Sequence, residues 1–466
     1  MTDLRARFDR MMAAARANPS TPWDLREKRL KALLALVTDH EGAIAKVISE
    51  DFGQRARAET NLAEIFPTIT GIRHALRHGK RWMRPRRAPI SILFRPASNQ
   101  ILPQPLGLVG IVAPWNYPLF LITGPLTSAF VAGNRAMVKA SESVPRFADW
   151  LAATAPRYFD EDDLAIITGG PDVAQAFGAL PFDHLLFTGS TQIGRQVMAA
   201  AAPNLTPVTL ELGGKSPVII TDTADLDHAV ARIMTGKLLN AGQTCVAPDY
   251  VLIPRPMMDD FIARSKAWVA KHYPKIAKSA DYTRIINDRQ FSRLTGLLDQ
   301  ANDSGAVLHP LTDAHPDAAS RLLPPVIVTG AAMDGDLMQQ EIFGPILPVI
   351  PTDGLPQAIA TINARPRPLA LYVFARDLDQ IAAVQSGTVA GGVCINETIM
   401  HVAQDDLPFG GIGDSGMGAY HGQAGFDTFS HLKPVFHQAR WNGLGLLAPP
   451  YGPRFKSMMR LIRKLG

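Results

Sequence analysis

The chain has 466 residues, of which 47% are apolar and 19% charged. That is enough apolar material for a large core, and at roughly 150 residues per domain it leaves room for two to four domains; disordered, collagen-like and low-complexity chains are excluded. Forty-seven basic residues against 42 acidic ones give a formal charge of +5, which permits an anionic ligand without demanding nucleic acid.

In chain order, the first 80 residues read as helical, with Leu30, Leu33, Leu34 and Val37 at helical spacing. Residues 90–95, between Pro89 and Pro96, read as a strand that pairs with a second at 100–105 as a hairpin. The stretch from Pro96 to Asn134 carries no charge and is long enough to cross a bilayer. Pro103, Pro105, Pro114, Pro118 and Pro125 break it, so it reads as strand, loop and buried helix. Strands at 108–112, 136–139 and 184–187 alternate with helices at 118–132, 147–158 and 191–202, the grammar of a doubly wound parallel sheet. The pattern repeats with strands at 218–220 and 250–253 and helices at 226–238 and 257–272, which suggests a second α/β domain.

The tail 453–466 places Phe455, Met458, Met459, Ile462 and Leu465 on one helical face and Arg454, Lys456, Arg460, Arg463 and Lys464 around it, with no acid. Such a helix can lie weakly on an anionic membrane surface or dock on its own protein or a partner subunit. The basic run Lys80-Arg-Trp-Met-Arg-Pro-Arg-Arg87 has no recognition motif beside it and reads as a solvated or subunit-facing edge, so nucleic acid is not an expected partner. The N-terminus lacks an apolar signal-like core, so the expected setting is cytoplasmic.

Two cysteines rule out a disulfide scaffold. Cys394, in Gly392-Val-Cys-Ile395, reads as structural. Cys245 ends Leu239-Asn-Ala-Gly-Gln-Thr-Cys245. A lone cysteine is by default a small core hydrophobe, but this polar, flexible approach suits a nucleophile whose thiolate is favoured by nearby donors. Glu211, in Thr209-Leu-Glu-Leu-Gly-Gly-Lys215, ends an apolar strand. Desolvation there would lift its pKa toward that of a general base; pairing with Lys215 is the alternative. Asn116, in Pro114-Trp-Asn-Tyr-Pro118, is either an oxyanion donor or the side chain of a turn closing on its own backbone.

Phe187-Thr-Gly-Ser-Thr-Gln-Ile-Gly194 runs from strand to helix, where free N–H groups suit a phosphate. Gly189 and Ser190 would face a pyrophosphate, and Gly194 would permit close packing. Lys139 and Glu142 could bond the hydroxyls of a ribose, or could be exposed loop charges. A G-x-G-x-x-G run at Gly411-Ile-Gly-Asp-Ser-Gly416 follows no apolar strand and opens no apolar helix, so it is set aside. No metal site is expected.

Taken in order, seven motifs resemble the aldehyde dehydrogenase superfamily over about 107–436: Pro114-Trp-Asn-Tyr-Pro118, Lys139-Ala-Ser-Glu142, Phe187-Thr-Gly-Ser190, Leu210-Glu-Leu-Gly-Gly214, Gly242-Gln-Thr-Cys245, Glu341-Ile-Phe-Gly-Pro345 and Pro408-Phe-Gly-Gly411. Ser415-Gly-Met-Gly-Ala-Tyr-His-Gly422 and the short N-terminus are similar to the class 3 branch, and among bacterial members to the coniferyl aldehyde dehydrogenases. Ala140 departs from the family's usual proline, which should loosen the turn near the ribose, and Gln340 stands where many relatives carry an acid.

The resemblance implies an α/β fold of two doubly wound domains, cofactor-binding (1–81 and 104–210) and catalytic (211–403). A small β bridging arm (82–103 and 404–450) and the basic tail (451–466) complete it. It implies oxidation of an aldehyde, aromatic such as coniferyl aldehyde or medium- to long-chain aliphatic, to the acid with NAD or NADP. Cys245 would attack the carbonyl, Asn116 and the Cys245 N–H would hold the oxyanion, and Glu211 would activate water to release the thioester. Glu341 and Phe343 would position the nicotinamide end of the cofactor, with Trp115 and Leu212 also against the cofactor and Tyr117 and Thr244 lining the substrate pocket. A homodimer is expected. A cysteine esterase and a coenzyme A-acylating enzyme are the alternatives.

Overall fold

The computed structural model describes residues 2–443, 445 and 448–465. Three sheets organise the chain. The first has six strands in the order Gly416–Met417, Val208–Leu212, His184–Gly189, Leu108–Val112, Arg135–Lys139, Leu164–Ile167; all are parallel except the first, which closes one edge antiparallel. The second has seven: Val307–Pro310, Val326–Thr329, Ile346–Thr352, Tyr250–Pro254, Pro217–Ile220, Ala370–Phe374 and Gly392–Ile395. Only its first pair is antiparallel. The third joins Arg86–Ala88, Ser98–Pro105 and Ser430–His437, all antiparallel.

Central strands such as Leu108–Val112 and His184–Gly189 are buried along nearly their whole length because helices cover both faces of the sheet, the pattern expected of parallel strands. The Phe120–Ala132 helix is apolar all round for the same reason. It packs between the first sheet and the helices Trp23–Thr38 and Phe66–Trp82. Buried Arg26 and Arg29 on Trp23–Thr38 donate to the carbonyls of Val131 (2.9 Å) and Asn134 (3.1 Å), satisfying acceptors that the end of that helix leaves free.

The predicted strand at 90–95 is not formed. Arg86–Ala88 pairs with residues 99–101 instead, and Ile92–Phe94 makes a 3-10 turn whose start is capped by the Ser91 hydroxyl, which accepts from Leu93 N–H at 3.4 Å. Pro89 cannot donate to a ladder, so pairing stops there.

Among the described residues no helix is long and apolar enough to cross a membrane, and no group of three His, Cys, Asp or Glu could hold a metal ion. The tail forms the helix Pro453–Leu465, with Phe455, Met458, Met459 and Ile462 half-buried and its five cations exposed.

Candidate active site

The parallel strands of the first sheet deliver site residues from their carboxyl ends. Trp115 and Asn116 follow Leu108–Val112; Lys139 and Glu142 end and follow Arg135–Lys139; Gly189 and Ser190 end and follow His184–Gly189; Glu211 and Leu212 end Val208–Leu212. From Leu108–Val112 the chain builds outward on one side, then returns to His184–Gly189 on the other. Open α/β sheets bind ligands in the crevice at such a reversal of strand order.

At one end of the crevice, Ser190 caps the Thr191–Ala201 helix, its hydroxyl accepting from Ile193 N–H at 3.4 Å, and is exposed. A Cβ on Gly189 would lie 2.5 Å from the Phe187 ring, and one on Gly194 2.5 Å from Leu212, so a larger residue at either position would have to displace a neighbouring side chain. Lys139 is buried; its Nζ donates to the Ala140 carbonyl at 2.6 Å and lies 3.6 Å from the half-exposed Glu142 carboxylate. Desolvation lowers the Lys139 pKa. Ala140 does not loosen the turn. Its N–H donates to the Ile167 carbonyl at 3.0 Å, a ladder bond that proline could not make. The G-x-G-x-x-G run opens no helix: Gly416 pairs with Glu211, Ser415 carbonyl accepts from Leu212 N–H at 3.1 Å, and a Cβ on Gly411 would lie 1.9 Å from the Ser415 oxygen. Its glycines let a backbone lie flat against the strand that carries Glu211.

The thiol side is built on a contorted loop. Asn240, Ala241 and Gly242 take φ of 53°, 52° and 76° in succession, a left-handed run that costs side-chain-bearing residues about 1–2 kcal/mol each. Buried Gln243 holds it, donating to the carbonyls of Asn240 (2.9 Å) and Arg284 (3.0 Å) and accepting from Ile286 N–H (2.9 Å). Glu59 accepts from Asn240 N–H at 3.1 Å and from the Thr283 hydroxyl. Asn116 does not close on its own backbone: its Nδ2 donates to the Gln243 carbonyl at 3.2 Å, bringing it against the Cys245 loop. The Tyr117 hydroxyl meets the Thr244 hydroxyl at 2.6 Å. The Trp115 ring meets the Phe343 ring edge-on, centroids 5.3 Å apart, with Phe343 at φ 52°.

Three titratable groups converge. Glu211 is buried, both its carboxylate oxygens lack a hydrogen-bond partner, and desolvation holds its pKa well above the usual carboxylate range. Lys215 is not its partner, being engaged by Asp249 and by the carbonyls of Leu337 and Gln340. Glu341 presses on the Gly213–Gly214 turn, where a Cβ on Gly213 would lie 2.0 Å from its Oε2. Burial, then the Asp249 charge, push Glu341 up to about 8, against the Gly214 N–H, Lys215 and Arg293. Cys245 is partly exposed, yet its thiol is pushed up to about 12 by desolvation and then by Glu341 and Glu211; its own N–H and that of Val246 pull the other way. The polar neighbours expected to favour its thiolate do not, because Asn240 and Gln243 turn inward to hold the loop. Cys245 therefore rests as a thiol under the influence of two buried carboxylates.

Comparison with known proteins joins this geometry to a chemistry. The aldehyde dehydrogenase family model matches residues 2–435. The chain belongs to the aldehyde dehydrogenase family. Similar curated relatives of this dehydrogenase include a probable coniferyl aldehyde dehydrogenase of Pseudomonas aeruginosa, 50% identical over 100% of this chain and 96% of that one. Another is a 4,4'-diaponeurosporen-aldehyde dehydrogenase of Staphylococcus aureus, 39% identical over 92% and 93%. A solved, substrate-bound Staphylococcus aureus AldH superposes with a TM-score of 0.93 at 37% identity, covering 98% and 99% of the two chains. The enzyme oxidises an aldehyde with NAD or NADP. The crevice fits a dinucleotide: it offers the N-terminus of the Thr191–Ala201 helix directly after Gly189, a lysine–carboxylate pair at a strand end, and an orphaned Glu341 oxygen.

Arg55, Glu59, Glu64 and Thr283, which hold the Asn116 turn and the thiol loop, carry no motif in the sequence. Gln54-Arg-Ala-Arg-Ala-Glu-Thr-Asn61 is a polar run like that of any solvated helix surface, and nothing in or just after it marks Arg55, Glu59 or Glu64 as buried.

Proposed function

We propose that this dehydrogenase acts on an aromatic aldehyde of the coniferyl type, with long-chain apolar aldehydes as the second class. The full-length relative at 50% identity supports the first, and the carotenoid-aldehyde relative the second. The observation that carries the catalytic assignment is Glu211, a buried carboxylate with both oxygens unpartnered, whose charge acts on the Cys245 thiol.

In this reading Cys245 gives up its proton to the Glu211 carboxylate, which passes it on to solvent, and its sulfur bonds to the carbonyl carbon as the carbonyl π pair moves onto the oxygen. The Asn116 side-chain amide and the Cys245 backbone N–H hold the oxygen as it becomes an anion. Lys139, Glu142, Gly189, Ser190, Gly194, Leu212, Trp115, Glu341 and Phe343 hold the cofactor, which when bound accepts the hydride. Tyr117 and Thr244, locked hydroxyl to hydroxyl, line the aldehyde pocket. Glu211, its pKa raised by burial, takes a proton from water, the oxygen attacks the Cys245 thioester, and the acid leaves with the sulfur restored as a thiolate.

The same reading divides the chain into a cofactor domain around the first sheet, a catalytic domain around the second and a bridging arm around the third. The Ser430–His437 strand leaves one edge of the third sheet unpaired, with Leu432 and Phe436 exposed, which supports a homodimer formed across that edge. The free thiols support a cytoplasmic setting, and the cationic tail helix supports weak contact with anionic lipid. Steady-state assay of coniferyl aldehyde, benzaldehyde, hexanal and a long-chain aldehyde with NAD and with NADP tests the assignment. Coniferyl aldehyde is expected to give the highest kcat/KM. A tenfold preference for hexanal over it would reject the aromatic class.

A further inference from the structure

We propose that Arg55, held by Glu64, is a positioning residue for oxyanion stabilisation and acts through Asn116. The idea rests on the catalytic reading above and extends it to groups behind the reacting atoms.

Arg55 and Glu64 form an ion pair at 2.7 Å, and both side chains are 0% exposed. Burying such a pair costs several kcal/mol per ion unless hydrogen bonds and geometry compensate. Here compensation is incomplete, since the Arg55 Nε and Nη2 have no hydrogen-bond partner. They lie instead over aromatic faces, the guanidinium carbon 4.9 Å from the Tyr117 ring centroid and 5.2 Å from that of Phe52. A buried cation with idle donors calls for a local reason.

The one donor that is engaged supplies it. Arg55 Nη1 donates both to Glu64 Oε1 and, at 3.0 Å, to the backbone carbonyl of Asn116. The same carbonyl accepts Asn240 Nδ2 at 3.1 Å, so two donors from different elements fix this one peptide. Beyond it, the Asn116 side chain has one amide N–H spent on the Gln243 carbonyl, which leaves the other for an oxyanion. On the far side of the turn, the second Glu64 oxygen accepts from Leu119 N–H at 2.6 Å and Phe120 N–H at 3.3 Å, where the Phe120–Ala132 helix begins. Arg55 and Glu64 thus clamp the Trp115–Phe120 segment at its centre and at its end. Asn116 is pinned through its backbone, while its side chain is left to the reaction. An oxyanion donor works through preorganisation, so loosening that peptide should cost rate in every step that forms an oxyanion and little elsewhere.

A double-mutant cycle tests this in the full-length enzyme. Arg55→Lys keeps the charge but cannot bridge Glu64 and the Asn116 carbonyl with one planar group. Acylation is read as the pre-steady-state NADH burst with aldehyde and as p-nitrophenol release from p-nitrophenyl acetate, and alkylation of Cys245 by iodoacetamide, which forms no oxyanion, serves as the control. Arg55→Lys should slow both acylations about 10- to 100-fold and leave alkylation and NAD affinity within about twofold. In an Asn116→Ala background it should have no further effect beyond about twofold, since the residue it acts through is gone. Multiplicative losses in the double mutant, or alkylation falling in step with acylation, would overturn the proposal. If Arg55→Lys does not fold, Glu64→Gln carries the same cycle, because it frees Arg55 from its anchor with little change of shape. An Asn116→Ala enzyme that acylates at the wild-type rate would instead reject the oxyanion assignment itself.

Discussion

The two cysteines sit in neighbourhoods that differ less in polarity than in backbone shape. Cys394 lies in the edge strand Gly392–Ile395, buried, with its sulfur 3.1 Å from His401 Nδ1. A thiol against an imidazole is what a cysteine hydrolase would use. Yet burial depresses His401 to about 4 and raises the Cys394 thiol, which favours the neutral form of both. No imidazole acts on Cys245, whose thiol burial pushes up to about 12. What it has is the left-handed run before it, which turns its own N–H and that of Val246 toward the sulfur and draws Asn116 against the loop. On the proposed reading, the Asn116 amide and the backbone N–H groups around Cys245, rather than a low resting pKa, set its thiol apart from that of Cys394.

Substitution at the two sulfurs breaks or upholds that contrast most sharply. Cys245→Ala should lower aldehyde oxidation at least about 10³-fold with NAD binding intact, and Cys394→Ala should leave kcat within about twofold while costing about 1 kcal/mol in urea melts. Comparable losses from both would refute the distinction. Next comes the base. Glu211→Gln should keep a stoichiometric NADH burst and reduce steady turnover about 10²- to 10⁴-fold, read by stopped flow. In the wild type the deacylation rate should climb with pH through the raised Glu211 pKa, and that limb should vanish in the variant.

The loop itself can be tested at Gly242, where φ is 76° and a Cβ would lie 2.3 Å from the Gly344 carbonyl oxygen. Gly242→Ala should cost on the order of 4 kcal/mol, measured by urea unfolding, because neither neighbour is the end of a flexible side chain. The smallest effect concerns His401. Its pKa is about 4 in the fold against an ordinary 6.5, so between those values the unfolded chain binds the extra proton and stability falls as pH falls. Between pH 7 and 4.5, His401→Asn should lose about 2–3 kcal/mol less than the wild type. Equal losses would show the imidazole is not held neutral.

Much of the fold is legible in sequence because its causes are local. Apolar runs bounded by turn residues mark the parallel strands Leu108–Val112, Arg135–Lys139, His184–Gly189, Pro217–Ile220 and Tyr250–Pro254 within a residue or two, and Ser190 is recognisable as the start of a helix; Leu164–Ile167 carries no such signal. The strand expected at 90–95 failed because strand formation depends on a partner and a ladder, and Pro89 denies the ladder. Ala140 was misjudged for a related reason: the hydrogen bond that steadies it comes from Ile167, on the adjacent strand.

By itself the sequence determined the alternation of strands and helices, the chemical types at the site and the ordered motifs that mark an aldehyde dehydrogenase, since each depends on residues near one another along the chain. Only the tertiary structure decided that Glu211 stands unpaired, that Asn240 and Gln243 hold the loop instead of activating the thiol, and that Arg55 and Glu64 brace Asn116. Hydrogen bonding and desolvation act over a few ångströms in space, and groups that meet there can lie far apart in the chain, as Glu59 and Thr283 do at a separation of 224 positions.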